Sequence, residues 1–159
     1  MSPLLNRPAS LALLTLVLFL CSVSCGRQSE ANHAVSFPSA YVQAACGPTD
    51  GPALEFYFTL KQSQNGKHDV PFLLVQISEN LPKSAPQSYS IKSGKWGMLA
   101  SRCLKLGQCE AATSGSLHLA KFSPETGASG DYELHFQDGS VERGSFDAEW
   151  YAVKNLMCG

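Results

Sequence analysis

The segment GDYELHFQDGSVERGSFDAEW, residues 130–150, contains the pattern that decides the fold. Apolar and polar residues alternate over residues 132–136 and again over 141–150, which is the period of a β-strand with one buried face. Between these runs, Asp138-Gly139 predicts a two-residue hairpin turn of type I′, because both central positions of that turn need positive φ. A further alternating run at residues 116–121 completes a predicted three-stranded C-terminal meander.

The same period of two recurs upstream of the meander. Residues 54–60 alternate, residues 70–77 form a nearly continuous apolar run, and shorter runs at 89–91 and 96–100 flank a Ser93-Gly94 turn signal. No segment after residue 25 has a helical apolar stripe of adequate length. We therefore expect an all-β domain, an antiparallel β-sandwich of about seven or eight strands, with a closed barrel as the alternative.

The N-terminal region has the organisation of an export signal. A leader that carries Arg7 precedes the apolar run of residues 11–20, which is too short to cross a hydrocarbon core comfortably. Ser22-Val23-Ser24-Cys25 follows and resembles the lipobox of bacterial lipoproteins. The resemblance implies that the Cys25 thiol is acylated, that Cys25 becomes the mature N-terminus, and that lipid anchors the protein to a membrane of the cell envelope. Ordinary secretion and an uncleaved membrane anchor are the alternatives.

These features divide the chain into three regions. We expect a signal peptide at residues 1–24, a lipidated N-terminus and flexible polar tether at 25–45, and a β-domain at 46–159. Within that domain, the entry Cys46–Ala53 and the strand–turn–strand pattern of residues 130–148 resemble predicted bacterial lipoproteins and secreted proteins of unknown function. That resemblance implies a β-domain and brings no activity with it.

The number of cysteines supports the lipid prediction. Cys21 would leave with the signal peptide and Cys25 would carry lipid, so four cysteines would remain: Cys46, Cys103, Cys109 and Cys158. Four cysteines allow three pairings. We expect a local Cys103–Cys109 bridge and a Cys46–Cys158 bridge, because the termini of a domain commonly lie close together. The alternative of a zinc site is disfavoured, since no C-x-x-C pair is present and an exported chain is oxidised.

No nucleophile, zinc-protease or phosphate-binding motif is present, so we predict a chain that is not an enzyme and needs no cofactor. His118 and His135 are the candidate metal ligands, because they fall on the solvated faces of two predicted hairpin partners. Directly opposed side chains would lie about 5 Å apart, and Glu133 could add a carboxylate. A small metal-dependent hydrolase would require these groups to converge in a concavity.

Tyr57 and Tyr151 are the candidate binding residues. Both fall out of phase with the apolar positions of their strands, and an exposed ring can stack on a sugar or fill a partner's pocket. A secreted ligand- or carbohydrate-binding module would need such rings exposed along a groove.

Charge excludes one class of partner. The chain has 12 Lys and Arg against 13 Asp and Glu, a net charge of −1, which is no footprint for nucleic acid. The sequence therefore predicts a non-catalytic lipoprotein of the cell envelope with an interaction or structural role. Its expected partners are the membrane, through the lipid, and an envelope protein or glycan.

Overall fold

The computed structural model describes residues 36–62, 69–92, 95 and 97–159. All regular secondary structure in these residues is β-strand, so the predicted all-β class is confirmed. The strands are β1 (Ser39–Cys46), β2 (Pro52–Thr59), β3 (Phe72–Ile77), β4 (Gln87–Ser90), β5 (Met98–Lys105), β6 (Gln108–Ala111), β7 (Ser114–Ser123), β8 (Gly127–His135) and β9 (Val141–Tyr151). The described residues thus hold nine strands, two of which, β1 and β6, the sequence analysis did not expect. The predicted signal peptide, Cys25 and most of the predicted tether lie outside the described residues.

The strands form one mixed sheet in the order β4-β7-β8-β9-β1-β2-β3-β5-β6. β1 and β9 pair in parallel, whereas the other neighbours are antiparallel. The parallel pair places the last strand beside the first, near the middle of the sheet. Among the described residues, no helix is long and apolar enough to cross a membrane.

β1 corrects the predicted boundary between tether and domain. Residues 39–45 were assigned to the tether, but Ser39–Cys46 forms a strand between β2 and β9. Its sequence, SAYVQAAC, is rich in alanine, which has little intrinsic preference for strands. Packing in the folded domain stabilises the strand instead, because the Val42 side chain is fully buried in the core and Tyr41 is 6% exposed.

The predicted meander is confirmed as β7-β8-β9, but its second turn differs from the prediction. The Gly139 N–H donates to the Phe136 carbonyl at 3.1 Å, and the Phe136 N–H donates to the Ser140 carbonyl at 3.0 Å. Gly139 has φ of 82°, whereas Asp138 is not in the positive-φ region. This is a three-residue loop with glycine at the bulge position, not a type I′ turn.

The sheet curls until its two edges approach each other. The N–H of Ala112 donates to β5 at the Ala100 carbonyl, whereas the N–H of the next residue, Thr113, donates to β8 at the His135 carbonyl. These two strands lie far apart in the strand order, so a flat sheet could not accept both bonds. We call the gap between edge strand β4 and the start of β5 the seam. β4 and β5 are the strands predicted around Ser93-Gly94, but they pair with other strands, and that turn lies outside the described residues.

The inner face of the curled sheet forms the hydrophobic core. Phe58 illustrates how strands from distant parts of the chain meet there: its ring centroid lies 4.5 Å from that of Tyr132 and 5.3 Å from that of Phe146. Burying one such ring stabilises the fold by about 2 kcal/mol. The largest fully buried side chains are Phe56, Phe58, Leu73, Ile77, Met98, Leu117, Leu119, Leu134, Val42 and Val75.

Candidate functional site

The first disulfide ties the end of the described chain to β1. Cys46 closes β1, and Cys158 follows β9, which runs parallel to β1. The parallel pairing directs both segments to the same end of the sheet, where the two cysteines are bonded with their Cα atoms 5.5 Å apart. The predicted pairing is therefore confirmed.

The second disulfide joins the two strands of the β5–β6 hairpin. Cys103 and Cys109 are paired in register across the hairpin and bonded, with Cα atoms 4.1 Å apart. Leu106 and Gly107 form the turn, and Gly107 adopts φ of 72°. This local bridge was also predicted, so all four cysteines of the described chain are paired.

Arg102 is a buried cation on β5. It lies on β5 directly opposite Leu73, so its side chain points toward the inner face, and the residue is 6% exposed. Its guanidinium donates to Glu110 at 2.7 Å and to Asp138 at 2.7 Å, and it lies 3.7 Å from a Glu142 oxygen. The same group stacks on Phe136, 4.1 Å from the ring centroid. These contacts join the β5–β6 hairpin to the β8–β9 hairpin.

Ser140 completes this cluster as both acceptor and donor. Its hydroxyl accepts from Arg102 and donates to Asp138, and its N–H donates to the same Asp138 oxygen at 2.9 Å. The bonds from Ser140, followed by those from Arg102, lower the pKa of Asp138 to about 2. Burial lowers the pKa of Arg102, but the carboxylates of Glu110 and Asp138 outweigh it, so the net shift is upward. Arg102 and Asp138 are therefore both charged near neutral pH.

The candidate binding tyrosines lie on the outer face, as expected, but Tyr57 is not open to solvent. Tyr57 is 8% exposed, and its hydroxyl donates to Glu55 at 2.9 Å. Burial and the charge of Glu55 raise its pKa. Tyr41, which the sequence analysis did not single out, stacks on Tyr57 at 4.9 Å and meets the edge of half-buried Tyr151 at 6.0 Å. The three rings form a packed row rather than an exposed stacking platform.

The candidate metal ligands lie on one face but do not meet. His118 pairs with Asp131 and His135 with Ser114, so their positions are four steps apart along β7, about 13 Å. His118 Nδ1 lies 2.9 Å from the Ser88 hydroxyl, and His135 Nε2 lies 3.0 Å from the Glu133 carboxylate. Among the described residues, no group of three or more His, Cys, Asp or Glu is placed to hold a metal ion.

A polar cavity of about 490 Å³ opens at the seam. Its walls are β4, the loop before it at Glu79 and Asn80, the loop after it at Lys92 and Lys95, and the start of β5. We call it the seam pocket. It is the concavity in which a ligand site would be sought, since small-molecule sites commonly have volumes of about 300–1,000 Å³.

Sequence reasoning missed both the Arg102 cluster and the seam pocket. The sequence held one signal for Arg102. It continues the alternation of Met98 and Ala100, so the pattern of its strand places a charged residue on the buried face. The seam pocket had no comparable signal, because its walls come from loops and strands that only the curl of the sheet brings together.

No family model matches the chain, and neither a curated protein nor a solved structure is significantly similar to it.

Proposed function

We propose that this chain is a non-catalytic cell-envelope lipoprotein, anchored through lipid on Cys25, whose disulfide-bonded β-domain serves an interaction or structural role outside the cytoplasm. Its relatives would be the predicted bacterial lipoproteins whose lipobox and strand–turn–strand patterns it resembles. Cleavage before Cys25 without acylation, giving a secreted or periplasmic protein, is the alternative location.

The partition of the cysteines is the observation that carries this proposal. The four cysteines of the described chain are consumed in two bridges, Cys46–Cys158 and Cys103–Cys109. Disulfides persist in oxidising compartments and are rare in the cytosol. If Cys21 leaves with the cleaved signal peptide, Cys25 is the one remaining unpaired cysteine, at the position where a lipoprotein receives its lipid.

The sandwich architecture belongs to the same proposal. The β2-β3-β5 half of the curled sheet faces the β7-β8-β9 half across the core, with Phe58 against Tyr132 and Arg102 against the β8–β9 hairpin. We propose that these halves pack as the two layers of a flattened sandwich joined at β1.

A ligand-binding module is the second candidate, and the seam pocket favours it. The form expected from the sequence, a row of exposed aromatic rings, has little support because Tyr57 is 8% exposed. A metal-dependent hydrolase has less support still, because His118 and His135 contact different side chains on an open sheet face.

Metabolic labelling with an alkyne-bearing palmitate tests the anchor. In bacterial cells that express the full chain, we expect label on the wild type and on Cys21→Ser, and none on Cys25→Ser. Cys21→Ser is the matched control, because it removes a thiol four residues away in the same segment. Label that persists on Cys25→Ser, or wild-type protein without label, would refute acylation at Cys25.

A further inference from the structure

Hydrogen bonds hold two walls of the seam pocket in place without a ligand. The Asn80 carbonyl accepts from the Tyr89 hydroxyl at 3.0 Å and from the Gln87 amide at 3.4 Å, which fastens the β3–β4 loop to β4. The Ser78 N–H donates to the Gly97 carbonyl at 3.1 Å, which fastens the opposite wall. A site whose walls are already held in place loses little conformational entropy on binding.

The chemistry of the lining is that of a polar site. The apolar part of the floor comes from Tyr89 and Met98, which are 9% and 2% exposed and offer little ring or thioether surface to a ligand. The exposed polar side chains of the lining include the Ser90 hydroxyl on β4 and the Asn80 amide, whereas the Ser88 hydroxyl already lies 2.9 Å from His118 Nδ1. Such groups donate to and accept from a molecule that carries several hydroxyls.

The charged side chains described in the lining give the pocket a net positive charge. Lys92 and Lys95 both line it and are exposed, while Glu79 is the only carboxylate among the described residues of the lining. The Lys95 N–H donates to the Lys92 carbonyl at 3.1 Å, so the two residues lie close together. Glu79 lies to one side, against Gly97, where an added Cβ would lie 3.4 Å from its carboxylate oxygen. Two ammonium groups against one carboxylate favour an anionic ligand.

We propose that the seam pocket binds a small polyhydroxylated molecule that carries a carboxylate or a phosphate group, with Lys92 and Lys95 contacting the anion and the polar residues of β4 contacting hydroxyls. The site does not depend on the lipid anchor. The experiments below measure ligand affinity and not cellular location, so the ligand proposal can fail while the lipoprotein proposal holds, and the reverse.

Binding of three probes of similar size to the purified full chain tests the ligand class. The probes are D-glucuronate, D-glucose 6-phosphate and neutral D-glucose, titrated by NMR at low salt. We expect at least one anionic probe to bind about tenfold more tightly than glucose and to weaken as salt is added. The tighter of the two anions identifies a carboxylate or a phosphate as the preferred group. Equal affinity for all three probes, or no binding of either anion, would overturn the proposal.

Two variants locate the binding. Lys92→Gln/Lys95→Gln should weaken the anionic probes about tenfold, whereas Lys105→Gln/Lys154→Gln, with the same change of net charge at exposed positions outside the lining, should not. Ser90→Tyr should weaken them by filling the pocket with no change of charge. Equal losses in the two lysine pairs would reveal non-specific attraction and reject the site, as would full affinity in Ser90→Tyr. Circular dichroism confirms that each variant is folded.

Discussion

Different interactions hold the two ends of the curled sheet, and we call them its two closures. At one end, Cys46 lies opposite Pro52 and is bonded to Cys158. At the other end, Arg102 lies in cross-strand register with Leu73 and Phe58 and contacts the β8–β9 hairpin. The first closure is covalent, and the second consists of one buried cation among three carboxylates.

The two closures act on different states of the protein. A disulfide stabilises mainly by restricting the unfolded chain, so its effect depends on the length of the loop it closes and not on salt or moderate pH. The Arg102 cluster exists only in the folded state, and its effect depends on ionised groups whose burial itself costs free energy. The covalent closure needs an oxidising compartment, whereas the ionic closure needs a pH at which its carboxylates are charged.

Removing the long bridge should have the largest effect. Cys46→Ser/Cys158→Ser opens a loop of sequence separation 112, and we expect the free energy of unfolding to fall by about 5 kcal/mol. The control is Cys103→Ser/Cys109→Ser, which opens a loop of separation 6 and should lose about 2 kcal/mol. Urea unfolding of both variants beside the oxidised wild type measures the difference. Equal losses would show that loop length does not govern the covalent closure.

Replacing Arg102 should have the next largest effect. Arg102→Met keeps most of the side-chain volume but removes the cation from beside Glu142, which is 4% exposed, and from Glu110 and Asp138. We expect a loss of about 3 kcal/mol, because breaking a buried ion pair from one side is costly. Urea unfolding measures it.

Arg143→Met is the matched control for Arg102→Met. Arg143 lies 3.8 Å from Glu133, and both side chains are largely exposed, at 66% and 47%. Exposed pairs contribute about 0–1 kcal/mol, so this variant should be nearly neutral. A loss as small in Arg102→Met as in Arg143→Met would show that the cluster does not close the sheet.

The difference between the two closures also explains what the sequence could predict. Cys46–Cys158 followed from counting cysteines and from the expectation that the ends of a domain meet, neither of which needs the strand order. The meander followed from alternation over residues 116–150 and one glycine turn. Its close packing is visible at Gly130, where a Cβ would overlap the His118 carbonyl oxygen.

The Arg102 cluster could not be predicted because its members lie on strands that meet only through the curl. Periodicity reports which face of its own strand a residue occupies, and it carries no information about strand order. The same limit explains why the two candidate histidine ligands do not meet. Alternation placed both on the correct face of the sheet. It does not fix the register of the two strands, which can shift by two residues without changing the face, and the observed register keeps the histidines apart. β1 was missed because alanine conceals its alternation.

Acid should weaken the ionic closure alone, and this effect should be the smallest. The pKa of Asp138 is lowered from the ordinary value of 3.8 to about 2, so on acidification the unfolded chain takes up this proton first. The contribution of Asp138 is therefore fully present above about pH 4 and is lost as the pH falls to about 2. Other carboxylates titrate in the same range, so the informative quantity is the difference in the free energy of unfolding between wild type and Asp138→Asn, measured with urea across this window.

We expect that difference to shrink as the pH falls, and to shrink equally when both proteins also carry Cys46→Ser/Cys158→Ser, because the bridge does not titrate. A constant difference would mean that Asp138 contributes through its shape and hydrogen bonds rather than its charge, and the contrast between the two closures would then be one of covalent against packed contacts.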